Sequence, residues 1–174
     1  VKASIGYYGV KFSQSSKKVW DEEEILIFRG AIRRGHESVV RLLIDHGARL
    51  KSTRFHIKDD HQYRGFFHGI FTSPLSEAIR CRREAVVKVL IDNGASLSIK
   101  HQASGEDPLS LATRHSHVSI VKLLLDYGCN PCPPDTDVQN NHTTPAWMIA
   151  ASMNIEILQV FMVKGFKLTF PGHS

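Results

Sequence analysis

No apolar run in this chain approaches the ~18 residues that a membrane-spanning helix needs. Cysteine is scarce: three thiols in 174 residues, an odd number, argue against a disulfide framework and fit a reducing compartment. Catalytic signatures are missing too. There is no Gly-rich phosphate loop, no H-E-x-x-H pair and no G-x-S-x-G elbow, and the Ser, His and Asp residues form no pattern that declares a triad. The first 20 residues carry Lys2, Lys11, Lys17 and Lys18 among Ser and Tyr without an apolar block, unlike a secretory leader. The chain starts on Val1 rather than Met, as an excerpt of a longer protein would. An intracellular location, cytoplasmic or nuclear, is the expectation.

What is present is repetition. LLIDHGA (42–48), VLIDNGA (89–95), LLLDYGC (123–129) and VFMVKGF (160–166) are four versions of one helix-closing phrase. Their glycines, Gly47, Gly94, Gly128 and Gly165, lie 47, 34 and 37 residues apart. A unit of about 33 residues that recurs in this way marks a stacked helical repeat, which buries its apolar faces only against its neighbours. The hydrophobic share of 42% and charged share of 22% suit an ordered protein with a core. The net charge of +5 tilts the choice of partner toward acidic molecules.

Within a unit the local signals are consistent. Ser73 is placed as an N-cap with Pro74 at the first helical position, where no N–H is needed. Asp107-Pro108 and Thr144-Pro145 repeat the device. The spacing predicts a short helix over 74–81, a tight turn at Arg82-Arg83, and a second helix ending at Asn93. Gly94 then supplies the left-handed cap. Second helices carry the main core (Val86, Val87, Val89, Leu90 and their counterparts), while Ala31, Ala78, Ala112 and Ala150 in the first helices permit close approach.

SPLSEAI (73–79), DPLSLAT (107–113) and TPAWMIA (144–150), each followed by an apolar helix and the glycine phrase, resemble the ankyrin-repeat pattern T-P-L-H-x-A-A-x-x-G-H-x-x-[VI]-V-x-L-L-L-x-x-G-A. LIFRGAIRRGHESVVRLLIDHGA (26–48) lacks the opening but keeps Gly35-His36 and the second helix. The resemblance covers roughly 21–170 and implies an all-α solenoid of about four helix-turn-helix units with hairpin-finger loops. The corresponding organisation is a lead-in or cap over 1–20 and a repeat domain over 21–174. Its units fall near 21–50, 73–106, 107–143 and 144–174, with an insertion over 51–72. The array is divergent: Arg29, Ser76, Ser110 and Trp147 stand where the family has histidine.

The resemblance also implies a role in protein–protein interaction, on a concave face lined by the end of each first helix and the turn after it. Those positions are Arg33 and Arg34, then Arg80, Arg82 and Arg83, then Arg114 and His115. Arginine forks onto carboxylates and phosphates, so this ladder points to an acidic protein segment. The competing reading is a set of solvated helix ends complementing the helix dipole. In the insertion, Phe55, Tyr63 and Phe67 lie among Arg54, Lys58 and Arg64, a mixture suited to interface anchoring, to stacking on single-stranded bases, or to pinning the loop on the solenoid.

Nucleic-acid binding is therefore the alternative function, and an enzyme built on the His/Asp-rich insertion a third. Neither His56, Asp59, Asp60, His61 and His68 nor Cys129-x-x-Cys132 with His142 completes the four-ligand set of a structural zinc site, so no metal or other cofactor is expected. Large apolar groups in unit four, Trp147, Met148, Met153, Phe161, Met162 and Phe166, suggest docking to another domain or chain at that end.

Overall fold

The computed structural model describes residues 22–50, 73–98, 106–131 and 144–166. Those residues are all-helical, in four antiparallel pairs: α1 (Glu22–Arg34) with α2 (Glu37–Asp45), α3 (Pro74–Arg80) with α4 (Glu84–Asp92), α5 (Pro108–Arg114) with α6 (Val118–Asp126), and α7 (Ala146–Met153) with α8 (Ile155–Val163). No strand occurs among them. First helices pack on first helices (α1 on α3, α3 on α5, α5 on α7) and second helices on second helices in the same order. Two parallel rows of helices result, which is the geometry of a solenoid.

The helix starts follow from their caps. Ser73 Oγ accepts from the Ser76 N–H at 3.1 Å. Asp107 accepts from the Leu109 and Ser110 N–H groups, each at 2.9 Å, and from Ser110 Oγ at 2.7 Å. Pro74 and Pro108 occupy the first helical position as the sequence predicts. Unit four differs by one residue: Pro145 is itself the N-cap, its carbonyl accepting the first helical bonds from Met148 and Ile149. Helix α1 has no such proline stop and begins earlier in its unit, so it runs for 13 residues where α3 and α5 have seven.

Between paired helices the backbone takes one left-handed residue, Gly35 (φ 78°), Arg82 (φ 55°) or Ser116 (φ 54°). The next N–H then reaches back five residues: His36 to Ala31, Arg83 to Ala78, His117 to Ala112. Unit four departs from this. Asn154 bonds only four residues back, to Ala150, at an extended φ of −152°. Its side chain compensates by accepting from the Ile157 N–H at 3.1 Å, the ordinary role of an N-cap asparagine.

At the far ends Gly47, Gly94, Gly128 and Gly165 all adopt φ between 82° and 92°, closing the second helices as their shared phrase predicts. The core lies between the two rows. Val40, Val87 and Val121 of the second helices are fully buried, as are Ile32, Ile79, Leu90, Leu124 and Phe161. Truncating Leu90 to alanine removes contacts worth about 2–5 kcal/mol. In unit four the small and large residues of the first helix exchange places: Ile149 stands at the register of Ala78 and Ala112, and Ala150 at that of Ile79, all of them buried. Close approach is kept because the pair conserves its combined volume.

Candidate functional site

Aligned on their turns, Arg33, Arg80 and Arg114 share one register at the end of a first helix, and Arg34, Cys81 and His115 the next. The structure brings these positions to one edge of the stack, yet the seven basic residues there are not equivalent.

Arg33 faces a carboxylate. Its Nε lies 3.6 Å from Glu77 Oε1, and Arg29 Nε lies 3.4 Å from the same oxygen. Glu77 is buried in a slot that Leu111 fills in unit three. A lone carboxylate there would be costly, and the two guanidiniums of unit one supply its counter-charge across the seam. Arg29, standing where the family has histidine, is itself nearly buried, and its Nε forms no hydrogen bond despite the ion pair. Arg114 repeats the theme in unit three: its Nε pairs with the buried Glu106 just before α5.

Arg83 is used differently. Its Nε donates to the Arg33 carbonyl at 2.8 Å, capping the end of α1 from the next unit. His117, at the same register as Arg83, stands against the end of α3, where the Ile79 and Arg80 carbonyls act on its ring. Arg34, Arg80 and Arg82 remain exposed with no side-chain ion pair among the described residues.

The charges of this edge act on its titratable groups. Desolvation lowers the pKa of His115, and the nearby Arg80 and Arg114 lower it further, against a smaller opposing pull from Glu106. His117 is lowered by desolvation first, then by His115 and Arg82. The two rings stack with centroids 5.6 Å apart and 19° between planes. Cys81 is pushed up by desolvation and by Glu77, with Arg33, Arg80 and Arg83 pulling the other way. At neutral pH the histidines are therefore uncharged, and the positive field of the edge comes from its arginines.

Phe55, Tyr63 and Phe67, and with them the 51–72 insertion, lie outside the described residues, as do Cys132 and His142. Cys129 is half-buried and its thiol is pushed up to about 11, mainly by desolvation. Among the described residues no three His, Cys, Asp or Glu side chains come together as metal ligands, and no helix is long and apolar enough to cross a membrane.

Sequence reasoning missed the three buried glutamates, Glu24, Glu77 and Glu106. Glu77 stands at a position that the family pattern leaves unspecified, so nothing in the repeat singled it out. Sequence reasoning also missed a second set of seam contacts, at the ends of the second helices, where Tyr127 Oη donates to Asp92 and Lys164 Nζ to Asp126. Each joins one unit to the next at the same register.

Paired helices stacked in two rows, with seams stitched by residues of recurring register, define a helical-repeat solenoid. A family model for ankyrin repeats matches residues 75–170 in three copies, more than half of the chain, and the chain belongs to the ankyrin-repeat family. No curated protein matches it. Ankyrin repeats are in general protein–protein interaction modules.

Proposed function

We propose that this chain is a non-catalytic, intracellular recognition module that binds an acidic segment of a partner protein along the turn edge of units one to three. The observation that carries the reading is the exposure of Arg34, Arg80 and Arg82, which have no side-chain counter-ion among the described residues, beside Arg33, Arg83 and Arg114, which are already engaged. Exposed guanidiniums in adjacent units can each fork onto a carboxylate. Neighbouring helices stand about 8–10 Å apart, so an extended acidic segment can meet more than one of them. Phe55, Tyr63 and Phe67 of the insertion add apolar anchoring in the same reading.

The test is capture from source-cell lysate at about 150 mM salt, comparing the native chain with Arg34→Glu/Arg80→Glu/Arg82→Glu. Circular dichroism first establishes that both are folded. A captured protein with an acidic stretch is then purified, and that stretch is titrated against both chains. Loss of binding in the variant supports the reading, whereas equal binding by both removes the arginine edge from it. Capture abolished by nuclease would favour nucleic acid, whose affinity falls steeply with salt through counterion release.

A further inference from the structure

The turn edge changes character between units three and four. Met153 stands at the register of Arg82 and Ser116, and Ile155 at that of Glu84 and Val118. Ala151 replaces Arg80 and Arg114, so residues 151–156 bring no cation to the edge. Met153 is 59% exposed and Ile155 74%. That exposure belongs to the register rather than to the place of unit four in the stack. Arg82, Glu84 and Ser116 are exposed, and Val118 half-exposed, in units with described neighbours on both sides. Local structure does not use up the two side chains either. The cap from Asn154 puts Met153 and Leu158 at the two positions of a hydrophobic staple, yet more than half of Met153 still faces water. Ile155 is the first residue of α8 and lies outside the core.

We infer, building on the acidic-segment reading above, that the edge recognises a bipartite segment: acidic residues against Arg34, Arg80 and Arg82, with a large aliphatic residue to one side seated on Met153 and Ile155. Charge complementarity sets both the acidic part and its limit. In unit three Arg114 is already paired with Glu106. In unit four the exposed Glu156 repels a further acid, and such repulsion is a source of specificity. An aliphatic side chain meets neither obstacle, and the flexible thioether of Met153 adapts to its shape. An extended chain advances ~3.3 Å per residue and stacked helices stand about 8–10 Å apart, so each unit takes about three residues. The aliphatic residue therefore falls about six residues from the acid that meets unit two.

Fluorescence anisotropy with labelled synthetic peptides tests this on the whole chain at about 150 mM salt. Each peptide carries two Asp-Glu pairs about three residues apart. A leucine stands about six residues beyond the second pair in one peptide and before the first in another; matched controls carry serine in its place. One of the two leucine peptides, the one that runs in the seated direction, should bind about tenfold tighter than its serine control. Met153→Ser/Ile155→Ser, at exposed sites that tolerate a polar group, should erase that gain and leave binding of the serine peptides unchanged. Arg34→Glu/Arg80→Glu/Arg82→Glu should abolish binding of all four. Serine peptides that bind while neither leucine peptide gains would overturn the bipartite reading and leave the acidic one standing. A gain that survives in Met153→Ser/Ile155→Ser overturns it as well, since the leucine is then seated elsewhere. If no peptide binds, both readings fail together.

Discussion

Arg83 donates through Nε to the carbonyl oxygen of Arg33 at 2.8 Å, across the seam between the first two units. The last carbonyls of α1 have no partner within their own helix, and a cation beside them also complements the helix dipole. Arg83→Ala should therefore lower stability although no core contact is lost. The bond is exposed, so the expected cost is ~1 kcal/mol. It should appear as a lower urea midpoint with an unchanged denaturant slope. An unchanged midpoint would mean that water replaces the guanidinium without loss.

One residue earlier, Arg82 and Ser116 hold φ of 55° and 54°, where unit one has Gly35 at 78°. A side chain at left-handed φ costs about 1–2 kcal/mol, partly offset by the greater entropy that glycine loses on folding. Arg82→Gly and Ser116→Gly should each stabilise the fold by a net ~0.5–1 kcal/mol. Only Arg82→Gly should also weaken binding of an acidic segment. That pair of variants separates the edge's part in folding from its part in recognition, by thermal melting on one side and peptide titration on the other.

Much of the fold was legible because its signals are local. Ser73-Pro74 and Asp107-Pro108 start helices through their own side chains and ring geometry, and each glycine phrase ends one through a left-handed residue. The edge was legible only as a row of charges. Which arginines are engaged depends on the offset between stacked units, which brings Glu77 of unit two under Arg29 and Arg33 of unit one. No periodicity within a unit encodes that offset. The turn of unit four was not legible for a related reason. Met153-Asn154 occupies the Gly-His register, but the N-cap of Asn154 replaces the left-handed turn.

The Glu77 contact can be tested by exchange rather than deletion. Glu77→Gln leaves Arg29, almost buried, facing a neutral amide and should cost ~2–3 kcal/mol, near the lower end for a broken buried pair. Replacing both partners, Arg29→Leu with Glu77→Leu, should restore most of that loss, because unit three already accommodates Leu111 in the carboxylate's slot. A double-mutant cycle read by urea denaturation should give a coupling of about 1–3 kcal/mol. Strict additivity would show that the guanidinium and the carboxylate act independently.

The stacked His115–His117 pair gives the edge a pH dependence whose sign is fixed by its pKa shifts. Both histidines are lowered from their ordinary value of 6.5 by the folded environment, desolvation first in each, although the Arg80 and Ile79 carbonyls pull His117 the other way. Above the unfolded pKa both states are neutral and the pair contributes no pH dependence. As pH falls through that value the unfolded chain binds protons first, so stability declines until the folded pKa is reached and then levels. Urea midpoints measured from pH 8 down to about 5 should fall for the native chain. They should fall less for His115→Gln/His117→Gln; parallel curves would assign the acid sensitivity elsewhere. Recognition should move in the opposite direction. Protonation adds positive charge beside Arg80 and Arg82, so affinity for an acidic segment should rise over the same interval in which the free fold weakens. By linkage, a bound acidic segment should raise both histidine pKa values, and NMR titration of the two rings with and without the segment would read that shift directly.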